Sequence, residues 1–491
     1  MQYINNQWIS GQGEPLVTKN PATGEISWEG NSASMAEVEY AVGAANVALN
    51  QWRLRSVNFR LEILQRYAAC IEEQKTVLAE CIAEETGKPF WESATEVTSM
   101  IGKIKLSAQA YSERTGDSEK PLQGAVSVVR HHPIGVMAVL GPFNFPGHLP
   151  NGQIVPALLA GNTIVFKPSE LTPKTSIFLA KLWEQAGFPA GVINLVLGSG
   201  KVGQTLTSHP YINGILFTGS YATGKKLHLQ CAGQPEKMLV LEMGGNNPLI
   251  VWDVKNKDAA AYHILQSAFI SAGQRCTCAR RLIIAKGEEG DRLLSRLKSW
   301  MAGIKVGYWR DEPEPFMGPV ISQAAAHYLL EKQAFLIAHG GEPLIKMQHI
   351  KPETGLLSPG LIDITMNNSQ EDIELFGPLL QVIRVQDFDE ALRVANDTQY
   401  RLAAGLQSDS REHYDRFFQT IHAGVLSWNR PTTGASSAAP FGGIGQSGNY
   451  RPGSYYAADY CAYPVASSES TQLILPENLL PGLCSSPLLT N

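Results

Sequence analysis

Cysteine is scarce in this chain, which has seven in 491 residues. They are odd in number and widely scattered, at Cys70, Cys81, Cys231, Cys276, Cys278, Cys461 and Cys484. Such a set does not make a disulfide framework, so we expect a reducing compartment and predict a cytoplasmic protein. Cys276 and Cys278 form the only close pair, and they have neither a CxxC spacing nor a nearby histidine or second cysteine pair. We therefore predict no zinc or other metal site.

Long apolar runs and an excess of positive charge are also missing. No uninterrupted apolar run reaches the ~20 residues that a membrane span needs. The first residues lack the basic stretch and apolar core of a secretory signal. The chain carries 40 basic and 45 acidic residues, a formal net charge of −5, whereas nucleic-acid binding needs a basic face. We therefore expect neither a membrane nor a nucleic acid as partner.

The composition that remains is that of an ordinary globular protein, long enough for two or more folding units. Short apolar runs alternate with helix-like stretches, and the strand candidates are residues 134–140, 163–166, 191–198, 212–217 and 238–241. Thr172-Pro173 is a typical helix start and Gly187 a typical stop, which predicts a helix between them. The alternation predicts an α/β fold, and continuous apolar strands predict a doubly wound parallel sheet that is covered on both faces.

A second α/β unit is predicted from residue 247 onward. Its signals are a long amphipathic stretch over residues 258–273, a strand at 282–284, a helix at 291–302 and a strand-rich part at 361–385. Residues 124–132 alternate with period two and form a strand candidate outside the βαβ pattern. The end of the chain, residues 473–491, is rich in Leu, Pro and Ser and is predicted to be a surface tail.

Polar side chains follow three strand candidates, at the positions where parallel sheets bind ligands. Asn144 lies in a Gly/Pro turn after the first, and its amide NH2 could hold a developing oxyanion. Lys167 and Glu170 follow the second and could bind the hydroxyls of a ribose. Glu242 ends the last beside a Gly-Gly turn and could be a general base. Each also has a structural interpretation: a turn asparagine, a solvated loop or a buried carboxylate.

Two glycine-containing segments could cradle a phosphate. Residues 217–224 read FTGSYATG and place glycines and hydroxyls at a helix N-terminus, which suits a pyrophosphate. Residues 198–203 read GSGKVG and match GxGxxG, but no acidic residue follows on a second strand about 20 residues later. We favour the first segment and keep the second as an alternative.

Cys276 closes the long helix-like stretch, within the segment GQRCTC. A thiol beside Arg275 is expected to have a lowered pKa and to act as a nucleophile, although cysteine is also a common core residue. Two further turns, residues 374–378 and 440–445, contain glutamate or glycine without indicating a function by themselves.

Taken in order, these segments resemble the aldehyde dehydrogenase superfamily over about residues 5–460. The resemblance rests on six motifs, and Glu242 lies 34 residues before Cys276, the separation between base and nucleophile in that family. It implies an aldehyde-dehydrogenase-like α/β fold with a Rossmann-type NAD-binding domain, a catalytic domain and a β arm for oligomerisation. The implied boundaries are 1–117 and 136–244 for the NAD-binding domain, 245–445 for the catalytic domain, and 118–135 with 446–491 for the arm and C-terminal tail.

The resemblance also implies a mechanism with three catalytic residues. Cys276 would attack the aldehyde, Asn144 and the backbone N–H of Cys276 would stabilise the oxyanion, and Glu242 would activate the hydrolytic water. Cys278 matches no catalytic position and is interpreted as structural. An arm strand near residues 456–464 is expected to join residues 124–132, and the assembly is expected to be a homodimer or homotetramer.

The cofactor implied by the resemblance is NAD. Lys167 and Glu170 would take the adenosine ribose, and Glu374 the nicotinamide ribose. Glu170 would repel a 2′-phosphate, which favours NAD over NADP. The remaining expected cofactor contacts are Gly219, Ser220, Tyr221, Ala222, Thr223, Gly224 and Phe376.

Closer details are similar to the subgroup that oxidises N-succinylglutamate 5-semialdehyde in arginine degradation by the succinyltransferase route. They lie in residues 141–163, 217–228, 241–251, 273–281 and 428–443. For this acidic semialdehyde, Arg275, Arg430 and Ser436 are the expected substrate contacts, unless Arg275 pairs with an acid of the protein itself and Arg430 faces solvent. Another acidic semialdehyde, or a catalytically silent relative, are the alternatives.

Overall fold

The computed structural model describes residues 1–367, 369, 371–475 and 478–483. The end of the predicted tail, residues 476–477 and 484–491, lies outside the described residues. Two seven-stranded sheets dominate the fold, and a three-stranded antiparallel sheet lies beside them. Within the described ranges, no helix is both long and apolar enough to cross a membrane.

The first part of the chain is mostly helical, with short strands before and after the helices. Its elements are β1 (Gln2–Ile4), β2 (Gln7–Ile9), β3 (Pro15–Lys19), β4 (Ile26–Asn31), α1 (Met35–Trp52), α2 (Val57–Glu73), α3 (Lys75–Thr86), α4 (Phe90–Arg114), β5 (Ser118–Leu122) and β6 (Ala125–Pro133). A capping box fixes the start of α1, because the Ser34 hydroxyl accepts from the Glu37 N–H while Glu37 accepts from the Ser34 N–H.

The next part alternates strands and helices, as predicted. Its elements are β7 (Val136–Leu140), α5 (His148–Ala160), β8 (Thr163–Lys167), α6 (Pro173–Ala186), β9 (Ile193–Leu195), α7 (Gly200–Ser208), β10 (Gly214–Gly219), α8 (Tyr221–Cys231) and β11 (Met238–Met243). The strand order β11-β10-β7-β8-β9 is parallel throughout. The order reverses between β7 and β10, which makes this the switch point where doubly wound sheets bind ligands.

Helices cover both faces of this sheet, as the continuous apolar strands predict. Alternate side chains of β7 enter two different cores: Met137 and Val139 pack with α2 to α6, whereas Val136 and Ala138 pack with α1, α7 and α8. The predicted helix signals of α6 are also confirmed, because Pro173 is its first residue and Gly187 caps its end with a φ of 77°.

The second sheet contains the predicted second α/β unit. Its region consists of β12 (Asn247–Val251), α9 (Lys257–Phe269), β13 (Ala279–Ala285), α10 (Glu288–Met301), α11 (Gln323–Ala338), β14 (Glu342–Ile345), β15 (Gly360–Asp363), β16 (Leu379–Val385), α12 (Phe388–Asn396), β17 (Tyr400–Arg401), β18 (Ala403–Gln407), α13 (Arg411–Thr420), β19 (Val425–Trp428), β20 (Pro440–Phe441) and β21 (Ile444–Gly445). The strand order is β14-β15-β16-β13-β12-β18-β19, and every neighbouring pair is parallel except β14 with β15.

The arm combines β6 with the end of the chain, where the elements are β22 (Gly453–Ser454), α14 (Ala458–Cys461) and β23 (Ala462–Glu469). β6 pairs with β23 on one side and with β5 on the other. The predicted arm strand near 456–464 is wrong over its first half, which is helical. The reason is burial: Tyr460 and Cys461 pack into the main core, and Asn162 Nδ2 donates to the Cys461 carbonyl at 2.7 Å.

Candidate active site

A cavity of about 1140 Å³ opens at the carboxyl ends of β7, β8, β10 and β11, outside the switch point of the first sheet. It reaches across to the second sheet, so both halves of the molecule contribute side chains. The predicted site residues on its wall include Asn144, Lys167, Glu170, Glu242, Cys276 and Glu374. The sequence separates these residues by up to 230 positions, and the fold brings them together.

The predicted long helix breaks just before Cys276. α9 ends at Phe269, and a short 3-10 segment, Ile270–Gly273, follows it. Ser271 and Ala272 have φ values of 55° and 52°, in the left-handed region that non-glycine residues rarely adopt. This turn redirects the chain, so that Cys276 lies at the cavity instead of continuing the helix.

Buried side chains donate hydrogen bonds to the backbone carbonyls of the loop that carries Cys276. Asn247 Nδ2 donates to the carbonyls of Cys276 and Cys278 at 2.7 and 2.9 Å. Both polar atoms of the Gln274 side-chain amide are hydrogen-bonded. Its Nε2 donates to the Ser271 carbonyl, and its Oε1 accepts from the backbone N–H of Ile321. We conclude that the position of the thiol is fixed by polar groups buried behind it.

The Cys276 thiol has a pKa raised well above its ordinary value. Burial is the main cause, and the negative charges of Glu242 and Glu374 add to it. The expected lowering of this pKa by Arg275 is therefore wrong. The reason is that the Arg275 guanidinium points behind the loop, where its Nη2 donates to Glu92 Oε1 at 2.9 Å and its Nε to Ser271 Oγ at 2.8 Å.

Glu242, at the end of β11, is the carboxylate beside this thiol. It is 2% exposed, and burial raises its pKa to about 8, although a hydrogen bond with Cys276 acts in the opposite direction. Among the described residues, its buried Oε1 has no hydrogen-bond partner. A carboxylate with a free oxygen and a pKa near neutrality suits a general base.

Asn144 reaches the same loop from the first sheet. Its Nδ2 donates to the Gln274 carbonyl at 2.8 Å, two residues before the thiol. The backbone carbonyl of Asn144 accepts from Lys88 Nζ at 2.9 Å, and Lys88 forms a buried ion pair with Glu96. The amide NH2 carries two donors, so one remains for another acceptor in the cavity.

Lys167 and Glu170 lie on the cavity wall after β8. Their charged groups are 3.7 Å apart, and burial lowers the Lys167 pKa. The Glu170 side chain is 45% exposed, so its carboxylate is open to hydroxyl donors. This is the chemistry expected of a ribose site.

Glu374 lies in the loop between β15 and β16, facing the Gly-Gly turn after β11. Its Oε1 accepts from the Gly245 N–H at 3.2 Å and from Arg280 Nη2 at 3.3 Å. A Cβ at Gly244 would overlap the Glu374 carboxylate, so the turn needs glycine for this close approach. Phe376 also lines the cavity, with its ring centroid 5.9 Å from that of Phe143.

Both glycine-containing segments reach the cavity. Gly219, Ser220 and Thr223, at the N-terminus of α8, line it as the favoured interpretation predicts. The alternative segment lines it too, because Gly200 and Gly203 lie at the start of α7. Both segments therefore lie where a phosphate could bind, and the preference for the first stays a prediction.

Three members of the predicted cofactor set, Tyr221, Ala222 and Gly224, are not among the residues that line the cavity. Tyr221 packs against Tyr400, with ring centroids 6.2 Å apart, and Ala222 is its neighbour on α8. Gly224 is required for packing, because a Cβ there would overlap the sulfur of Met243.

The three predicted substrate contacts lie away from the cavity wall. Arg275 is paired with Glu92, which is the alternative that the sequence left open. Arg430 and Ser436 are exposed in the loop after β19, and the Ser436 hydroxyl accepts from the Ala438 N–H at 3.2 Å. The residues that the sequence did not indicate are those behind the loop, chiefly Asn247 and Arg280.

A comparison with protein families matches residues 8–464 to the model described as "Aldehyde dehydrogenase family". The chain belongs to the aldehyde dehydrogenase family. This match covers most of its length and includes each of the elements that form the cavity. The family resemblance expected from the motifs is therefore confirmed, and so is the expected fold.

Solved structures of this family superpose closely on the chain. An NADP-dependent enzyme from E. coli is 32% identical, with a TM-score of 0.90, and the match covers 96% of this chain and 98% of the other. A 1-pyrroline-5-carboxylate dehydrogenase from Thermus with bound NAD is 31% identical, with a TM-score of 0.90 and coverages of 95% and 92%. A betaine aldehyde dehydrogenase from Staphylococcus aureus in complex with NAD+ is 26% identical, with a TM-score of 0.90 and coverages of 98% and 96%.

Proposed function

We propose that this protein is an NAD-dependent aldehyde dehydrogenase that acts through a covalent intermediate on Cys276. The observation that carries the proposal is that one cavity wall holds a thiol and, beside it, a buried carboxylate with a pKa of about 8. A relative that kept only the fold would not need Cys276, Glu242 and Asn144 to meet at the same place.

The first step forms a carbon–sulfur bond. Because the Glu242 carboxylate lies beside the Cys276 thiol, it takes the thiol proton as sulfur attacks the aldehyde carbon. The carbonyl π electrons move to oxygen, giving a thiohemiacetal oxyanion. The free N–H of the Asn144 amide and the backbone N–H of Cys276 donate to this oxygen, which stabilises the charge as it develops.

The residues of the cavity fit a dinucleotide. Glu170 and Glu374 offer two carboxylates for two riboses, and the N-termini of α7 and α8 offer N–H groups for a pyrophosphate. NAD supplies the acceptor for the hydride that leaves the thiohemiacetal carbon as the thioester forms. Glu170 would repel an additional phosphate on the ribose, which favours NAD over NADP.

The last step is hydrolysis of the thioester. Glu242 takes a proton from a water molecule, and the water oxygen attacks the thioester carbon. The carbon–sulfur bond then breaks, the acid leaves, and the thiolate is regenerated. A pKa of about 8 lets the same carboxylate accept and release protons near neutral pH.

For the substrate, we propose N-succinylglutamate 5-semialdehyde, in arginine degradation by the succinyltransferase route. The sequence similarity to that subgroup supports the proposal. Arg430 is exposed in the loop after β19 and is not among the residues that line the cavity, so its contact with a substrate carboxylate is the part that the experiment tests. Arg275 no longer supports it, because its guanidinium is already paired with Glu92. A dehydrogenase for another acidic semialdehyde is the second candidate.

The experiment measures the oxidation of several aldehydes through the absorbance of the NADH that forms. N-succinylglutamate semialdehyde, succinate semialdehyde, glutamate semialdehyde and a neutral aldehyde are ranked by kcat/KM. The proposal predicts the first as best substrate, and predicts that Arg430→Leu lowers its kcat/KM by about 10-fold or more while affecting the neutral aldehyde much less. Arg275→Leu is the matched control. It should lower kcat/KM equally for N-succinylglutamate semialdehyde and for the neutral aldehyde. A different best substrate would contradict the substrate assignment alone.

We also propose that the arm makes the protein a homodimer or homotetramer in the cytoplasm. β5 and β23 are the outer strands of the arm sheet, and β5 is exposed along its whole length. Such an edge can pair with another chain. Light scattering coupled to size-exclusion chromatography tests this directly, and a monomeric mass would contradict it.

A further inference from the structure

Arg280 and Arg281 are consecutive buried residues of β13, and their side chains bond to different parts of the protein. Arg281 donates to the carbonyls of Asn246, Val394 and Ala395, at 2.8 to 3.0 Å, and so caps the end of α12. Arg280 is 0% exposed and points to the other side of the strand, towards the cavity. Since burying a charge is costly, each guanidinium must be held by several acceptors.

Arg280 connects three parts of the active site with one guanidinium. Its Nη1 donates to the Gly273 carbonyl, and its Nη2 donates to the Arg275 carbonyl at 3.0 Å, so it holds the loop on both sides of Gln274. The same Nη2 lies 3.3 Å from Glu374 Oε1. The guanidinium carbon also lies 5.2 Å from the ring centroid of Phe376.

We propose that Arg280 is a positioning residue that couples the nucleophile loop to the cofactor-binding carboxylate. The proposal rests on the proposed function in so far as it assigns Glu374 to the cofactor. The planar fork of a guanidinium directs donors from two separate nitrogens to the two loop carbonyls and the carboxylate, whereas the three donors of a lysine ammonium leave a single nitrogen. Arg280 therefore fixes the position of the Cys276 loop relative to the Glu374 carboxylate.

Charge gives Arg280 a second effect on Glu374. Burial raises the pKa of Glu374, and the Arg280 cation acts against this rise. The ionised carboxylate is the form that accepts two hydroxyl hydrogen bonds. The other titratable groups that face Glu374 are Glu242, Cys276 and Tyr400, whose pKa values its charge raises.

The test compares Arg280→Gln and Arg280→Lys with Arg281→Lys as matched control. The first readout is the rate at which iodoacetamide alkylates Cys276 in the protein without cofactor or aldehyde. We expect an increase of about threefold or more in both Arg280 variants, because the loop loses its clamp, and no increase in Arg281→Lys. This readout does not depend on turnover, so it stays decisive if the proposed function fails.

The second readout is the NAD dissociation constant by calorimetry. Arg280→Gln is expected to raise it on the order of tenfold, and Arg280→Lys much less, because lysine restores the charge beside Glu374. All three variants are expected to lower Tm. Should the Arg280 variants change only Tm, as the Arg281 control does, Arg280 would have a purely structural role and the proposal would be overturned. If Arg280→Gln fails to fold, the alkylation rate of Arg280→Lys decides.

Discussion

The two sides of the nucleophile loop each hold a buried glutamate, and the two differ in what surrounds them. Each keeps one buried oxygen without a hydrogen-bond partner among the described residues, so this feature does not distinguish them. On the cavity side, Glu242 has a raised pKa and a thiol as neighbour. Behind the loop, Glu92 is equally buried, but its Oε1 accepts from the Ser271 hydroxyl and from Arg275. Burial alone therefore does not mark a catalytic carboxylate.

The two glutamates therefore have different roles. A buried acid paired with a cation, like Glu92 with Arg275, holds the loop in place, since removing one partner of such a pair is strongly destabilising. A buried acid without a cation titrates near neutral pH and can exchange protons with a reactant. The loop thus has a structural side and a reactive side, and substitutions on the two sides should have different consequences.

The largest effect is expected on the reactive side, from Cys276→Ala. It should abolish aldehyde oxidation while NAD still binds, because the thiol forms the covalent bond but is not among the expected adenosine contacts. NADH formation and calorimetric NAD binding measure the two effects. Cys278→Ala is the internal control and should keep near-wild-type activity. Retention of more than about a tenth of the wild-type kcat in Cys276→Ala would refute the assignment of the nucleophile.

Glu242→Gln should reduce the steady rate by about 10²- to 10³-fold, since an amide cannot take a proton from water. In the wild type, the base must be deprotonated, and the Glu242 pKa is raised to about 8. The rate should therefore rise with pH from about 6 to 9 in the wild type, with its midpoint near 8, and this rise should disappear in the variant. A variant that kept the same pH dependence would show that another group is the base.

Glu92→Gln is expected to change the stability of the protein but not the pH dependence of the reaction. It leaves the Arg275 guanidinium without its carboxylate, so we expect a loss of about 3 kcal/mol in the free energy of unfolding. Urea unfolding measures this loss. The midpoint of the pH–rate profile should stay where it is in the wild type. A shifted midpoint with unchanged stability would mean that Glu92 and Glu242 have been assigned the wrong way round.

The smallest effect is expected at the distant end of the cavity. Glu170→Ala should raise the use of NADP relative to NAD, because it removes a negative charge that would face a 2′-phosphate. The ratio of kcat/KM for the two cofactors gives the result. We expect a change of a few-fold, since the carboxylate is partly exposed and water screens its charge. An unchanged ratio would remove Glu170 from the ribose site.

Local signals in the sequence predicted much of the first sheet. Apolar runs marked β7 and β8, and Thr172-Pro173 with Gly187 marked α6, because these signals act within a few residues of where they stand. The order of the motifs also indicated which strand ends face one cavity, since the carboxyl ends of parallel strands share one edge of a sheet.

Contacts between distant segments could not be predicted in this way. Arg275 meets Glu92 across 183 positions of the chain, and no local pattern indicates that pairing. The expected thiol pKa was wrong for the same reason, because the neighbouring guanidinium is bound elsewhere. The break after Phe269 depends on left-handed residues that the buried contacts of the loop hold in place, and the amphipathic pattern runs through it.

In the proposed mechanism, Cys276 carries the acyl group and Glu242 activates the water that removes it. A thiol gives up its proton far more readily than water does, so Glu242→Gln should slow hydrolysis more than acylation. The direct measurement is the intact mass of Glu242→Gln after it is mixed with aldehyde and NAD, together with the NADH released. We expect a burst of about one NADH per site and an acyl adduct on Cys276. Continued turnover at the wild-type rate with unmodified protein would contradict it.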